Sequence, residues 1–174
     1  MKLNLGCGKD YRDGWVNIND KPFHKCDLIL DLNRFPYPFE DNSVDYILLK
    51  DVLEHLEDTF KVIGECHRIL KPTGRIHIHV PHHTDSAGMG APEHKHYFCI
   101  YSFDFCEDDG KSSAKYVDYT FKVTGRFQFN RYKCFNRPLG WLFSHFKSLV
   151  TYSFLCYLFP SCDCIFNLDK VVKK

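Results

Sequence analysis

The order strand, helix, strand in "VDYILLKDVLEHLEDTFKVIGECHRILKPTGRIHIHV" limits the possible folds of this chain more than any other feature. The flanking runs "VDYILL" and "RIHIHV" are short and apolar or alternating, as strands are. Between them Val52, Leu53, Leu56, Phe60, Ile63, Cys66 and Leu70 recur at helical spacing, and "KPTG" supplies a basic last turn and a Pro-Gly stop. Two strands joined through one helix form a right-handed parallel crossover, so the chain is α/β with its sites at the carboxyl ends of the strands.

"KLNLG", "WVNIN" and "DLILDL" read as three earlier strands. "YVDYTFKV", "RFQFNRYK" and "CIFNLDKVV" read as three later ones, the last two closing the sheet in antiparallel fashion. Only "CGKDYRDG" joins the first two strands, whereas a parallel crossover takes a dozen or more residues. The first helix is therefore lost or reduced to one turn. The stretch "PHHTDSAGMGAPEHKHYF" is a Gly- and His-rich loop, long enough to be functional or disordered.

With 174 residues, 44% of them hydrophobic, the chain suits one domain with a real core: 1–81 as a cofactor-binding half, 82–174 as a substrate loop and C-terminal strands. A net charge of +1 gives no field to gather nucleic acid, and no basic run tracks a phosphate backbone. The nine cysteines include no Cys-x-x-Cys pair and no signal sequence precedes the first strand, which reads as a reducing cytoplasm with free thiols. No transmembrane segment is expected, because polar residues interrupt "GWLFSHFKSLVTYSFLCYLFP". Its first half reads as a core-packing helix with Leu142, Phe146, Leu149 and Val150 on one face and Ser144, Lys147, Ser148 and Thr151 on the other, with weak membrane contact as the alternative.

The bend "LGCGK" has the Gly-x-Gly of a cofactor loop, but a dinucleotide fingerprint wants a third glycine where Tyr11 stands. That argues against a nicotinamide-dependent oxidoreductase, and the absent Lys-Ser/Thr pair removes an ATP P-loop. Strand ends carry Asn19 with Asp20, then Asp31, then Lys50 with Asp51. A carboxylate after the second strand can accept from ribose hydroxyls. Asp31 can accept from an exocyclic adenine amine while the Leu32 N–H donates to the ring. A glycine bend without a phosphate clamp, among acidic neighbours, suits a cationic ligand lacking phosphates.

These stretches, above all "VDYILLKDVLEHL" with "RILKPTGRI" behind it, resemble a class I S-adenosylmethionine-dependent methyltransferase of the small type-11-like group. The resemblance implies a Rossmann-like methyltransferase fold, a mostly parallel sheet with an antiparallel final strand and a reduced first helix. It implies S-adenosylmethionine as cofactor, with Leu5, Gly6, Cys7 and Gly8 under its methionine and ribose part, Asp31 and Leu32 at the adenine, and Lys50 and Asp51 by the sulfonium. The group usually reads Gly-Trp-Val-Asn-Val-Asp at the second strand; here Asn19 stands at the acidic position with Asp20 next. Either Asn19 holds the ribose or Asp20 turns in to replace it.

If the methyl acceptor is a hydroxyl or an acid, a general base helps. Of His55, His82, His83, His94 and His96, the first choices are His82 and then His94, both where the loop should fold over the crevice. His77 and His79 alternate on one face of their strand and read as structural. "PHH" and "HKH" match no zinc spacing, so no metal is expected. The expected activity is methyl transfer to a small-molecule, glycan or lipid-linked acceptor. The alternative is a non-catalytic S-adenosylmethionine-binding module.

Overall fold

The computed structural model describes residues 1–107, 117–128, 136–146 and 163–171. Seven strands form one sheet in the order β3-β2-β1-β4-β5-β7-β6. The strands are β1 (Lys2–Leu5), β2 (Val16–Asn19), β3 (Leu28–Ile29), β4 (Val44–Lys50), β5 (Leu70–Pro81), β6 (Phe121–Gln128) and β7 (Asp163–Lys170). The first five pair in parallel, while β7 runs antiparallel to both β5 and β6. This is the expected sheet. One detail differs: among the described residues, the parts of "YVDYTFKV" and "RFQFNRYK" that form strand belong to one strand, β6.

The α1 helix (Thr59–Ile69) covers one face. Val62, Ile63, Cys66 and Ile69 are fully buried there, as are Leu3, Leu5, Ile47, Leu49, Ile76 and Ile78 from the strands. The helix is shorter than its apolar spacing suggests. Leu53–His55 is a separate 3-10 turn that ends in an extended Leu56, and α1 restarts at Asp58, whose side chain caps the Lys61 N–H at 3.0 Å. The "KPTG" stop lies inside β5.

No helix joins β1 to β2; two buried asparagines hold the link instead. Asn4 Nδ2 donates to the Asp10 carbonyl at 2.6 Å, and Asn17 both accepts from the Arg12 N–H at 2.9 Å and donates back to the Arg12 carbonyl at 2.9 Å. Trp15 packs edge-on to Tyr46 at 5.4 Å between ring centres.

The α2 helix (Ser86–Gly90) is one short turn within the His-rich loop, which closes on itself where the His83 N–H donates to the Phe98 carbonyl at 2.8 Å. In α3 (Asn136–His145) the expected core face is turned outward: Leu142 and Phe146 are 40% and 54% exposed. Phe143 packs against the core instead, and the neighbouring Ser144 Oγ accepts from the Phe127 N–H at 3.1 Å. Leu149 and Val150 lie outside the described residues, as do Lys147, Ser148 and Thr151. Among the described residues no helix is long and apolar enough to cross a membrane.

Candidate functional site

A cavity of about 330 Å³ opens at the carboxyl ends of β1, β2 and β4. Its first wall is the Gly6–Gly8 bend. Gly6 has φ +67°, and a Cβ there would stand 2.5 Å from Val52 Cγ2, so the protein itself requires glycine. Gly8 has φ +50°, yet an added Cβ would meet no protein atom within 4 Å. The open space on that side belongs to the cavity.

Asn19 and Asp20 form the next wall. The Gly8 N–H donates to Asn19 Oδ1 at 2.8 Å, which fixes the amide and leaves Nδ2 as its second polar group. Asp20 is largely exposed and faces Lys21 Nζ at 3.6 Å. Asp31, Leu32 and Asn33 follow: Asp31 Oδ1 accepts from the Asn33 N–H at 2.9 Å, the turn expected of an Asp-x-Asn stretch. Asn33 Oδ1 in turn accepts from the Glu57 N–H at 2.8 Å and ties this wall to the 3-10 turn. Asp51, Val52, His55 and Leu56 complete the lining. Asp51 holds φ +54°, uncommon for a residue with a side chain, and pairs with His79 Nδ1 at 3.0 Å.

Three of the residues expected here do not line the cavity. Leu5 is fully buried in β1, and Cys7 lies beneath the bend with its N–H donated to the Ile18 carbonyl at 2.9 Å. Lys50 lies apart, at a second hollow of about 270 Å³ lined also by Arg12, Tyr46, Leu48, His77 and His79. The last two bridge the sheet: His77 Nδ1 meets Asn167 Oδ1 at 2.8 Å, and His79 stands between Asp51 and Asp163. Burial opposes a charge on His79, but its bonds to Asp163 and Asp51 outweigh that and raise its pKa to about 9.

His82 is 1% exposed, packed against His83 and Phe127, with Nδ1 engaged to Thr84 Oγ1 at 2.8 Å. Burial, with the neighbouring His83, lowers its pKa to about 3, and it is absent from the cavity lining. His94 is placed differently. Its ring stands edge-on to His55 at 4.8 Å between centres, and Nδ1 lies 2.8 Å from the Gly88 carbonyl. A carbonyl only accepts, so Nδ1 carries the proton and Nε2 the lone pair. The loop is held there by the Glu54 carbonyl, which accepts from the Lys95 N–H at 2.6 Å and the His96 N–H at 3.3 Å.

Glu54 escaped the sequence reading. On a continuous helix it falls among polar positions; the 3-10 turn rotates it inward, where it is 1% exposed. Burial pushes its carboxyl up to about 7, opposed in part by His94 and His79. Asn33, Val52 and Leu56 were also missed as lining residues. Only Asn33 carried a signal, its spacing from Asp31.

Among the described residues the lining has three carboxylates, glycine backbone, apolar Leu32, Val52 and Leu56, and neither Lys nor Arg. Such a donor set fits a cationic ligand and offers no phosphate clamp. Residues 7–78 match the family model described as Methyltransferase domain. Over that stretch the chain is similar to type-11-like class I methyltransferases. A 42-residue stretch is 43% identical to phosphoethanolamine N-methyltransferase 2 of Caenorhabditis elegans, covering 24% of this chain and 10% of that one. Over 73 residues it is 29% identical to demethylmenaquinone methyltransferase of Listeria welshimeri, covering 40% of this chain and 31% of that one. The chain thus spans well under half the length of these relatives. A SAM-dependent methyltransferase from Archaeoglobus fulgidus shares its fold, with a TM-score of 0.65 at 15% identity over 97% of this chain and 85% of that one. So does Haemonchus contortus phosphoethanolamine N-methyltransferase 2, solved with S-adenosyl-L-methionine, with a TM-score of 0.57 at 16% identity over 98% of this chain and 48% of that one. The cofactor named for both neighbours is the one expected from the sequence.

Proposed function

We propose that this chain binds S-adenosylmethionine in the Gly6–Leu56 cavity and transfers its methyl group to a small-molecule, glycan or lipid-linked acceptor. The observation that carries this reading is the cavity wall itself: an open-faced glycine bend and three carboxylates, with no Lys or Arg among the described lining residues, at the carboxyl ends of parallel strands. When bound, the cofactor supplies an activated methyl on a sulfonium; the protein orients the reactants and excludes water. Gly8 lets the backbone approach the ligand. Asp31 and Leu32 take the adenine, Asn19 or Asp20 the ribose, and Asp51 lies by the sulfonium. Leu5 and Cys7 act from beneath by shaping the bend. Lys50, at the second hollow, leaves the sulfonium end to Asp51.

On the acceptor side His94 is favoured over His82. His94 presents an uncommitted Nε2 beside His55, a lining residue, whereas His82 is desolvated and packed against Phe127. Calorimetry with S-adenosylhomocysteine tests cofactor binding: Asp31→Ala should weaken it by about 1.5–3 kcal/mol, the range for a hydrogen bond to a charged group. His94→Ala should lower turnover by roughly two orders of magnitude with that affinity nearly unchanged. Slow consumption of S-adenosylmethionine with a mixed acceptor pool separates an enzyme from a non-catalytic binding module. No binding by the wild type would overturn both.

A further inference from the structure

Glu54 poses a problem that the cofactor cavity does not solve. Its side chain is 1% exposed, and Oε2 has no hydrogen-bond partner. A buried carboxylate oxygen left unpaired is costly, and native structures rarely tolerate one without a proton or a cation beside it. The groups next to it are imidazoles. One donor atom each from Glu54, His55 and His94 lie within 4.8 Å of one another.

We propose that Glu54, His55 and His94 form a binding site for a divalent transition-metal cation at the rim of the cofactor cavity. Two imidazoles and one carboxylate, without a thiolate, suit a borderline ion of the Zn²⁺, Fe²⁺ or Mn²⁺ kind better than Mg²⁺ or Ca²⁺. Bonds of about 2.0–2.2 Å would draw the three donors to roughly 3.4 Å apart, a closure within reach of side-chain rotation. The surroundings are those of a ligand set. His94 is held by its other nitrogen against the Gly88 carbonyl, which fixes the ring and leaves the Nε2 lone pair for the ion. The Glu54 carbonyl holds the backbone at Lys95 and His96, so the segment that carries His94 is seated on the segment that carries the other two ligands.

Three protein ligands leave at least one coordination position open, the pattern of a catalytic rather than a structural site. His55 lines the cavity, so that position is where an oxygen or nitrogen of the acceptor would be held. This role rests on the methyl-transfer reading above and makes His94 a ligand in place of a base, because the cation takes its Nε2 lone pair; the binding of the cation rests on neither.

The test is a Co²⁺ titration of the chelator-treated 174-residue chain, followed by visible absorption. The site predicts about one equivalent bound, with ligand-field bands and no near-ultraviolet thiolate charge-transfer band. His94→Ala and Glu54→Gln should each weaken binding by about 10-fold or more. If His94→Ala misfolds by circular dichroism, His55→Asn gives the same reading. Absence of Co²⁺ binding, a thiolate band, or affinity unchanged by these variants would overturn the proposal. S-adenosylhomocysteine calorimetry on the same metal-free protein keeps the two readings apart: tight binding there with no cobalt uptake removes the cation site alone.

Discussion

Gly6 and Gly8 share a bend and a left-handed backbone, yet different neighbours hold them. A side chain at Gly6 runs into Val52, which is itself packed in the core. Gly6→Ala should therefore destabilise the fold by about 1–3 kcal/mol through overpacking, read by urea denaturation. A side chain at Gly8 meets only the cavity. Gly8→Val should keep most of the stability, less the cost of its positive φ, and lose S-adenosylhomocysteine binding in calorimetry. If both variants fail in the same way, the cavity face of the bend has been misassigned. At this scale the gathering of the strand-end residues Gly8, Asn19, Asp20, Asp31 and Asp51 around one cavity was legible, because a parallel sheet presents its strand ends to one crevice. Glu54 was not, because its burial depends on a 3-10 turn that apolar periodicity cannot tell from a helix.

Among the elements, α3 shows how periodicity misleads when both faces carry aromatics. Leu142 and Phe146 form a plausible stripe, but Phe143 and Ser144 reach β6, and Trp141 is 68% exposed. Phe146→Ala should change stability by no more than about 0.5 kcal/mol. Phe166→Ala in β7, fully buried against Phe103, should cost about 3–5 kcal/mol. Thermal or urea denaturation of the pair decides, and equal losses would put α3 into the core after all. The strands were easier to read than the helices. Their alternation reports burial directly, whereas the β1–β2 link depends on side-chain hydrogen bonds from Asn4 and Asn17 that leave no periodic trace.

The stability of the whole molecule is coupled to pH through two histidines near the end of β5, with opposite signs. His79, raised to about 9, takes its proton more readily when folded. Its contribution is complete below the free-histidine pKa of about 6.5 and is lost as pH rises through about 9. His82, lowered to about 3, stays neutral when folded while the unfolded chain protonates near 6.5, so acidification from about 6.5 towards 3 removes stability. His82→Phe should flatten the fall of the thermal midpoint on the acid side, and His79→Asn should flatten it on the alkaline side. Slopes identical to the wild type would show that neither group is perturbed. The parallel order and the antiparallel close of the sheet were legible at this scale; the pairing of His79 with Asp163, remote in sequence, was not.

The Glu54 carbonyl, which accepts from the Lys95 and His96 N–H groups, joins the segment behind a wall of the cavity to the His-rich loop through main-chain hydrogen bonds. Local opening of the loop and loosening of the 3-10 turn are thus one event, and a ligand that braces the turn must raise the free energy of both. Amide hydrogen exchange should register this coupling: S-adenosylhomocysteine should slow exchange at Lys95 and His96, although neither residue lines the cavity it fills. Protection that stops at Val52–Leu56 would mean that the loop opens on its own.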